Sequence, residues 1–483
     1  MFDLRPVLFG TGLVLAVLAL AMGLPTLVDF VHGDADWRVF AASAAVTLFV
    51  GLALMAANYV ARRDELSTRQ IFLLTAAGWL AACFAAALPF AFSGLHVSGV
   101  DALFEATSGV TTTGATILRN VDHAPPGILL WRALLQWLGG MGFLVMTVAV
   151  LPVLNIGGMQ IFRLDNGDLG DRVMPRAATV TMSIMGLYAG LTGTLTLLLW
   201  AAGMSRFPAL LHAMSTISCG GFSTSAGSIG SWHNPAIDWV MLLGMLLGGA
   251  PFIIYMQIAE QRWQIARRNR QLRLYLIYFL IASLILALWL ILEQDLKPLP
   301  ALRHAAFTAA SVMTGSGFAT LDWGRWTGLP VAILFFLTFV GGCAGSTSGG
   351  IKIFRFQILY ANARGQMNRL LHPHAVILPH YDKKPIPDTV VESVLGFLFI
   401  YALSFAVVAM GLGMVGLDFW TSLSAAASAL ANLGPGLTPS ISPLTGFAAL
   451  HDAAKILLAL AMLFGRLEMF IFLALFAKGF WKK

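Results

Sequence analysis

The sequence predicts an all-α integral membrane protein: four helix/pore-helix/helix repeats around a pseudo-fourfold axis, preceded by two extra N-terminal transmembrane helices. Composition is the first reason. Of 483 residues, 58% are hydrophobic and 11% charged, and the mean hydropathy of +0.80 is far from that of a soluble globule. The second is a count of apolar runs long enough to cross a bilayer, which gives ten. The third is a short pattern, Ala-x-Ser with a glycine six residues after the serine, which occurs four times at a spacing of roughly a hundred residues.

The ten runs lie near 7 to 29, 38 to 60, 70 to 92, 127 to 151, 177 to 201, 236 to 258, 273 to 292, 330 to 360, 390 to 412 and 453 to 477. Residues 1–60 form a two-helix hairpin without the repeated pattern and are expected at the periphery. The opening run, apolar from Val7 to Val28 with no clear small-x-small cleavage site, is read as a helix rather than a signal peptide. Repeat 1 covers 70–151, repeat 2 covers 177–258, repeat 3 covers 273–360 and repeat 4 covers 390–478. In repeat 2, Pro208 is placed at the opening of the short helix, and Gly248, Gly249 and Pro251 predict a bend in the closing helix. A basic, proline-bearing connection at 361–388 suits a docking surface or a lipid-contacting linker.

In each repeat the pattern sits in a segment of about ten residues, too short to span. It reads Ala106, Ser108, Gly114; Ala213, Ser215, Gly221; Ala309, Ser311, Gly317; and Ala426, Ser428, Gly434. Four residues before each glycine stands a large apolar residue: Val110, Ile217, Met313 or Leu430. Backbone that leaves the helix at membrane depth must be buried in protein or line water, so these four turns should face inward. Glycine reaches positive φ freely and lets the turn aim its carbonyls at a common axis. A ring of carbonyls can replace the hydration shell of a small cation. Thr111, Thr112, Thr113, Ser218, Thr314 and Ser316 could add hydroxyl oxygens, whereas the fourth copy, Ala431-Asn432-Leu433-Gly434, is the odd one. Asp101 and Glu105 precede the first turn. Both would draw cations to the outer mouth, or Glu105 would instead cap or bond neighbouring backbone.

After the apolar VAILFFLTFV in repeat 3 comes Gly341, Gly342, Cys343, Ala344, Gly345, Ser346, Thr347, Ser348, Gly349, Gly350, then Ile351 and Lys352. Such a stretch will not hold a regular helix. It predicts an unwound intramembrane loop at 341–350, below the turns, able to obstruct the path and to move. It lacks the Gly-Lys-Ser/Thr of a phosphate cradle and puts Thr347 where a nucleophile elbow needs serine. In repeat 4, Arg466 and Glu468 lie inside an apolar helix with Lys455 three turns earlier; ionisable groups at that depth usually face a cavity or one another. Arg466 is expected to project toward the central path below the turns, either pairing with the loop or competing with a passing cation.

Arg62, Arg63 and Arg69, then Arg262, Arg267, Arg268, Arg270 and Arg273, then Lys352, Arg355, Arg364, Arg369, Lys383 and Lys384 alternate with cation-poor loops and share a side with Lys478, Lys482 and Lys483. That side is cytoplasmic by the positive-inside rule, with both termini on it and the short helices entering from outside. The net charge of +7 follows from this topology and from anionic headgroups, not from nucleic acid. Cys83, Cys219 and Cys343 have no metal or disulfide spacing, and His372 and His374 read as loop residues. No His, Asp, Glu or Cys cluster suggests an enzyme.

The motif TTTGAT, the four glycines, the loop GGCAGSTSGGIKIFR and the last-helix AMLFGRLE resemble the Trk/Ktr/HKT superfamily of potassium transporters, and the two leading helices point to its TrkH branch. The likeness covers essentially the whole chain. It implies K+ uptake across the bacterial inner membrane through a gated, channel-like, K+-selective pore, K+ and Rb+ being favoured over Na+, in a homodimer whose protomers each hold a pore. It implies a filter of Val110, Thr111, Thr112, Thr113 and Gly114; Ile217, Ser218, Cys219, Gly220 and Gly221; Met313, Thr314, Gly315, Ser316 and Gly317; and Leu430, Ala431, Asn432, Leu433 and Gly434. The ion would contact Thr112, Thr113, Cys219, Gly220, Gly315, Ser316, Asn432 and Leu433. The loop 341–350, Lys352 and Arg466 would form the gate. A cytoplasmic nucleotide-binding ring of the TrkA type is the implied partner; no nucleotide site is visible in this chain. Cys219 departs from the pattern, being a soft ligand beside a site for a hard cation. The competing reading, a secondary transporter coupling entry to H+ or Na+, would call for inverted repeats and paired broken helices, whereas these repeats share one orientation.

Overall fold

The computed structural model describes residues 3–59, 66–147, 157–159, 173–372, 374, 379–381 and 384–481. Arg62, Arg63, Lys383, Lys482, Lys483 and residues 148–151 lie outside the described residues. Helix dominates, with one two-residue antiparallel ribbon joining His380–Tyr381 to Lys384–Pro385.

Among the described residues, seven helices are long and apolar enough to cross a membrane: Arg5–His32, Trp37–Ala57, Thr68–Phe92, Pro126–Val145, Thr181–Ala201, Arg270–Glu293 and Asp388–Met414. Two bent pairs raise the number to nine, Pro235–Gly249 with Phe252–Ala259 at 96° and Asp452–Arg466 with Phe470–Phe476 at 108°. The run expected near 330–360 is instead the helix Leu329–Val340, 12 residues long and too short to cross alone. Helix resumes only at Ile353–Leu371. The recurrent glycines between them are the reason, each costing about 1 kcal/mol against alanine in a helix.

Four short helices lie between the spans: Gly99–Val110, Arg206–Ile217, Pro298–Thr314 and Phe419–Ala431. The second starts two residues before Pro208, after Ser205. Ser98 caps the first by accepting from Asp101 N at 3.1 Å, and Asp418 caps the fourth by accepting from Thr421 N at 3.1 Å. Each buries alanines, Ala102 and Ala106, Ala209 and Ala213, Ala305 and Ala309, Ala425 and Ala426, beside larger side chains such as Phe104, Phe307 and Leu430. Small residues let helix backbones approach where lipid offers no hydrophobic drive to pack.

The first two helices pack on each other and the first also lies against Thr68–Phe92 and Pro126–Val145. Their outer faces expose Leu20, Val31 and Phe49, side chains suited to lipid tails. The hairpin closes at Gly12 and Gly51, where a Cβ on Gly51 would stand 2.8 Å from the Gly12 carbonyl. Gly51→Leu should therefore separate the hairpin and destabilise the protein by about 1–3 kcal/mol, whereas Phe49→Leu on the lipid face should be nearly neutral; melting temperatures in detergent distinguish the two.

Candidate functional site: a ring of four turns and the loop beneath it

All four short helices end in the same turn. Two residues before each motif glycine the backbone is left-handed, at Thr112 (φ 52°), Cys219 (φ 54°), Gly315 (φ 76°) and Asn432 (φ 54°). The motif glycine is left-handed again: Gly114 (φ 84°), Gly221 (φ 84°), Gly317 (φ 69°) and Gly434 (φ 97°). The residue between them donates its N–H to the carbonyl of the motif serine: Thr113 to Ser108 at 2.8 Å, Gly220 to Ser215 at 2.8 Å, Ser316 to Ser311 at 2.9 Å and Leu433 to Ser428 at 2.9 Å. This is the six-to-one bond of a Schellman cap, which satisfies a helix-end carbonyl without solvent.

The four turns interlock in sequence. A Cβ on Gly114 would collide with the Gly220 carbonyl oxygen, one on Gly221 with that of Ser316, one on Gly317 with that of Leu433, and one on Gly434 with that of Thr113. Each glycine thus makes room for the carbonyl just before the next glycine, and the fourth returns to the first. Helix C-termini carry partial negative charge. Four of them converge on this ring, an arrangement that favours a cation.

Side chains hold the ring from behind. Gln136 donates to the Gly220 carbonyl at 2.6 Å and accepts from Phe222 N at 3.1 Å. Asn432 Nδ2 donates to Thr113 Oγ1 at 2.9 Å and to the Met462 carbonyl at 2.9 Å. Of the expected hydroxyls, Thr111 pairs with Thr113 at 2.8 Å, Thr314 with Ser316 at 2.7 Å, and Ser218 donates to the Ser215 carbonyl at 2.9 Å. Thr112 Oγ1 is buried without a hydrogen-bond partner among the described residues. Above the ring a cavity of about 450 Å³ is lined by Gly114, Gly221, Gly317, Phe222, Pro435 and Arg119, among others.

Beneath the ring lies the unwound stretch. The chain breaks between Gly249 and Phe252, and the carbonyls this frees are taken by the loop: Cys343 N donates to Gly249 O at 3.0 Å and Thr347 N to Gly248 O at 3.3 Å. Thr347 Oγ1 lies within reach of the Ile217 carbonyl at 2.9 Å, the Gly248 carbonyl at 3.1 Å and Cys219 Sγ at 3.2 Å. The thiol that looked out of place beside a hard cation therefore faces the loop, and only the backbone of Cys219 belongs to the turn. Gly349 packs where a Cβ would strike the Ala431 carbonyl. Gly342 N donates to Ser348 Oγ at 2.9 Å, Ser346 Oγ to Cys343 O at 2.6 Å, and Ala344 N to Gln271 Oε1 at 3.0 Å.

A buried charge cluster borders the loop. Arg466 Nη1 donates to the Thr347 carbonyl at 2.9 Å while its Nε and Nη2 have no partner among the described residues. Its guanidinium lies 3.8 Å from the centre of the Phe143 ring, and Lys352 Nζ lies 4.6 Å from the same ring. Glu468 is paired with Arg355 and stands 3.5 Å from Lys352 Nζ. Lys352 (φ 74°), Glu468 (φ 57°) and Met469 (φ 36°) are all left-handed without being glycine, a strain that packed surroundings must impose.

A family model described as a cation transport protein, TrkH, matches residues 37–483. The chain belongs to the TrkH family. A Trk system potassium uptake protein TrkI from Halomonas elongata is 37% identical over 481 residues, covering 99% of this chain and 97% of that protein. The Trk system potassium uptake protein TrkH of Escherichia coli K12 is 35% identical over 478 residues, covering 98% of each. The crystal structure of the potassium transporter TrkH from Vibrio parahaemolyticus superposes with a TM-score of 0.91 at 34% identity, covering 100% of both chains. Like the rest of its family it is a multi-pass membrane protein and not an enzyme.

For a TrkH-family chain, the residues picked out in sequence converge: the four turns meet in one ring, and Gly341 to Gly350, Lys352 and Arg466 meet beneath it. Asp101 and Glu105 resolve into bonded groups. Asp101 accepts from Lys455 at 2.5 Å, and Glu105 is fully buried in hydrogen bonds to Thr116, Ile117 N and Arg132. Missed in sequence were Arg132, Gln136, Phe143 and Arg355. An arginine within the apolar run ILLWRALL was the available signal for the first; an aromatic such as Phe143 carries none. Gly221→Ala would force a methyl onto the Ser316 carbonyl and add about 1–3 kcal/mol of backbone strain. The expected result is a loss of cation flux in liposomes at normal protein yield.

Proposed function

We propose that this chain mediates K+ uptake across the bacterial cytoplasmic membrane, down the electrochemical gradient, through a gated pore that prefers K+ and Rb+ to Na+. The observation that carries it is the closed ring in which each glycine admits its neighbour's carbonyl. Those carbonyls, from Thr113, Gly220, Ser316 and Leu433, form one rung, and Thr112, Cys219, Gly315 and Asn432 supply the rung below through their backbone oxygens. Carbonyl dipoles already fixed by Schellman caps replace water around a K+ ion without reorganising. The relatives' names, potassium uptake protein and potassium transporter, support the choice of ion.

The loop 341–350 acts as the gate in this reading. It is held shut under the ring by Thr347 and Arg466, whose charge also repels a cation from the path. Both termini are cytoplasmic, the molecule works as a homodimer, and a nucleotide-binding ring of the TrkA type docks on the inner face to move the loop.

Purified protein in liposomes, assayed by ⁸⁶Rb⁺ uptake under an imposed potential with K+, Na+ or Li+ as competitor, tests the proposal. Strong competition by K+, weak competition by Na+, and flux that needs no pH or Na+ gradient are expected; flux that appears only with such a gradient would replace the pore by a coupled carrier. Removing the Arg466 to Thr347 contact by Arg466→Ala takes away one charge-assisted hydrogen bond from the closed loop, so partner-free uptake should rise roughly tenfold.

A further inference from the structure

The position three before each motif serine is occupied by Glu105, His212, Thr308 and Ala425, all at the same height on their short helices. The first two are fully buried and reach the same place, the residue two beyond the motif glycine. Glu105 accepts from Thr116 Oγ1 at 2.9 Å and from Ile117 N at 2.9 Å. His212 Nε2 lies 3.0 Å from Ser223 Oγ, its Nδ1 2.8 Å from the Pro208 carbonyl. Thr308 Oγ1 has no partner among the described residues, and Ala425 can have none.

Arg132 joins the two supported strands. From the closing helix of the first repeat its Nε donates to Glu105 Oε1 at 2.8 Å, its Nη2 to Thr116 Oγ1 at 3.1 Å and its Nη1 to the Ser223 carbonyl at 2.9 Å. The guanidinium also lies 4.1 Å from the centre of the Phe222 ring, one residue past Gly221. A rigid planar fork can hold two acceptors at a fixed separation, which a single ammonium cannot. Thr116 and Ser223 each stand two residues beyond a ring glycine, so the fork sets the distance between the first and second strands just outside the ring. Its side chain is 2% exposed, and the negative Glu105 compensates its charge.

We propose that Arg132 is a positioning residue for ion discrimination: by bridging Thr116 and the Ser223 carbonyl it keeps the first half of the ring from contracting around the smaller Na+. On the size-based account of selectivity, discrimination between K+ and Na+ depends on how far the coordinating carbonyls can close. Strands 3 and 4 are tied differently, by Ser311 Oγ donating to Phe318 O and Ser428 Oγ donating to Gly434 O, both at 2.6 Å. The counterpart hydroxyls Ser108 and Ser215 make no such bond. Arg132 and its partners take over that tie on the side where the serines do not supply it. The inference rests on the ring being the ion filter.

The test uses the full-length protein in liposomes, comparing wild type with Arg132→Lys. Lysine keeps the positive charge beside Glu105 and so isolates geometry from electrostatics. Expected is a K+ to Na+ preference, read as the ratio of the concentrations that halve ⁸⁶Rb⁺ uptake, reduced about tenfold, the effect of losing one charge-assisted hydrogen bond, with melting temperature and elution volume little changed. An unchanged ratio in folded Arg132→Lys overturns the proposal. Should that variant fold poorly, Thr116→Val, isosteric and uncharged, decides in its place: a reduced ratio supports the bridge and an unchanged one overturns it. Gly221→Ala separates this from the filter reading. If Gly221→Ala leaves uptake and its K+ preference intact, the ring is not the filter and both ideas fall. If it abolishes them while Arg132→Lys and Thr116→Val do not alter the ratio, only the role of Arg132 is lost.

Discussion

A polypeptide that leaves helical geometry inside a bilayer must find partners for its peptide groups within the protein, because the surrounding hydrocarbon offers none. That requirement shapes each unusual feature of this molecule. The four short helices end in Schellman caps, so the serine carbonyls at their ends are bonded internally. The span that breaks between Gly249 and Phe252 leaves carbonyls that the loop's Cys343 and Thr347 take up. Phe252 N in turn donates to the Gly345 carbonyl at 2.9 Å. Ring, broken span and loop are therefore one hydrogen-bonding solution, and the loop cannot leave its seat without exposing peptide groups that something else must satisfy.

Charge imposes the second constraint. Among the described residues, Lys352 and Arg355 are buried beside one carboxylate, Glu468, while Arg466 is buried over the same Phe143 ring as Lys352. Burying cations in excess of their partners is costly, and part of that cost is offset by the Phe143 ring and by loop carbonyls. The backbone is left-handed at both Lys352 and Glu468, whose charged groups stand 3.5 Å apart. A cluster so unevenly balanced is held by its surroundings rather than by its own attraction, which suits a region with more than one arrangement.

Much of this was legible in the sequence because repetition turns weak signals into strong ones. One Ala-x-Ser with a glycine beyond it says little; four in register, each with a large apolar residue at the same offset, fix the turns and their inward aspect. The loop was legible because residues 341–350 are dominated by glycine and small polar side chains and hold no large apolar residue to pack a helix. The eighth run was not, since hydropathy reads Leu329–Val340 and the start of the helix Ile353–Leu371 as one span although the backbone parts them. The setting of Glu105 was legible only in part: a bond to neighbouring backbone was one of its two readings and is found at Ile117 N, but its pairing with Arg132, 27 residues away in sequence and 2.8 Å from it, gave no local sign. Pairings across that separation follow from tertiary packing and leave no local pattern.

The interlocked ring is drawn from one continuous chain, and this has a genetic consequence. In a pore assembled from identical subunits any change to the turn is copied into every quadrant at once. Here a codon alters a single quadrant, and three unaltered neighbours remain to hold the circle. Glutamate, histidine, threonine and alanine at one equivalent position, and threonine, cysteine, glycine and asparagine at another, are the visible record of that freedom. The glycines do not share it, since each is confined by a carbonyl encoded in a different repeat.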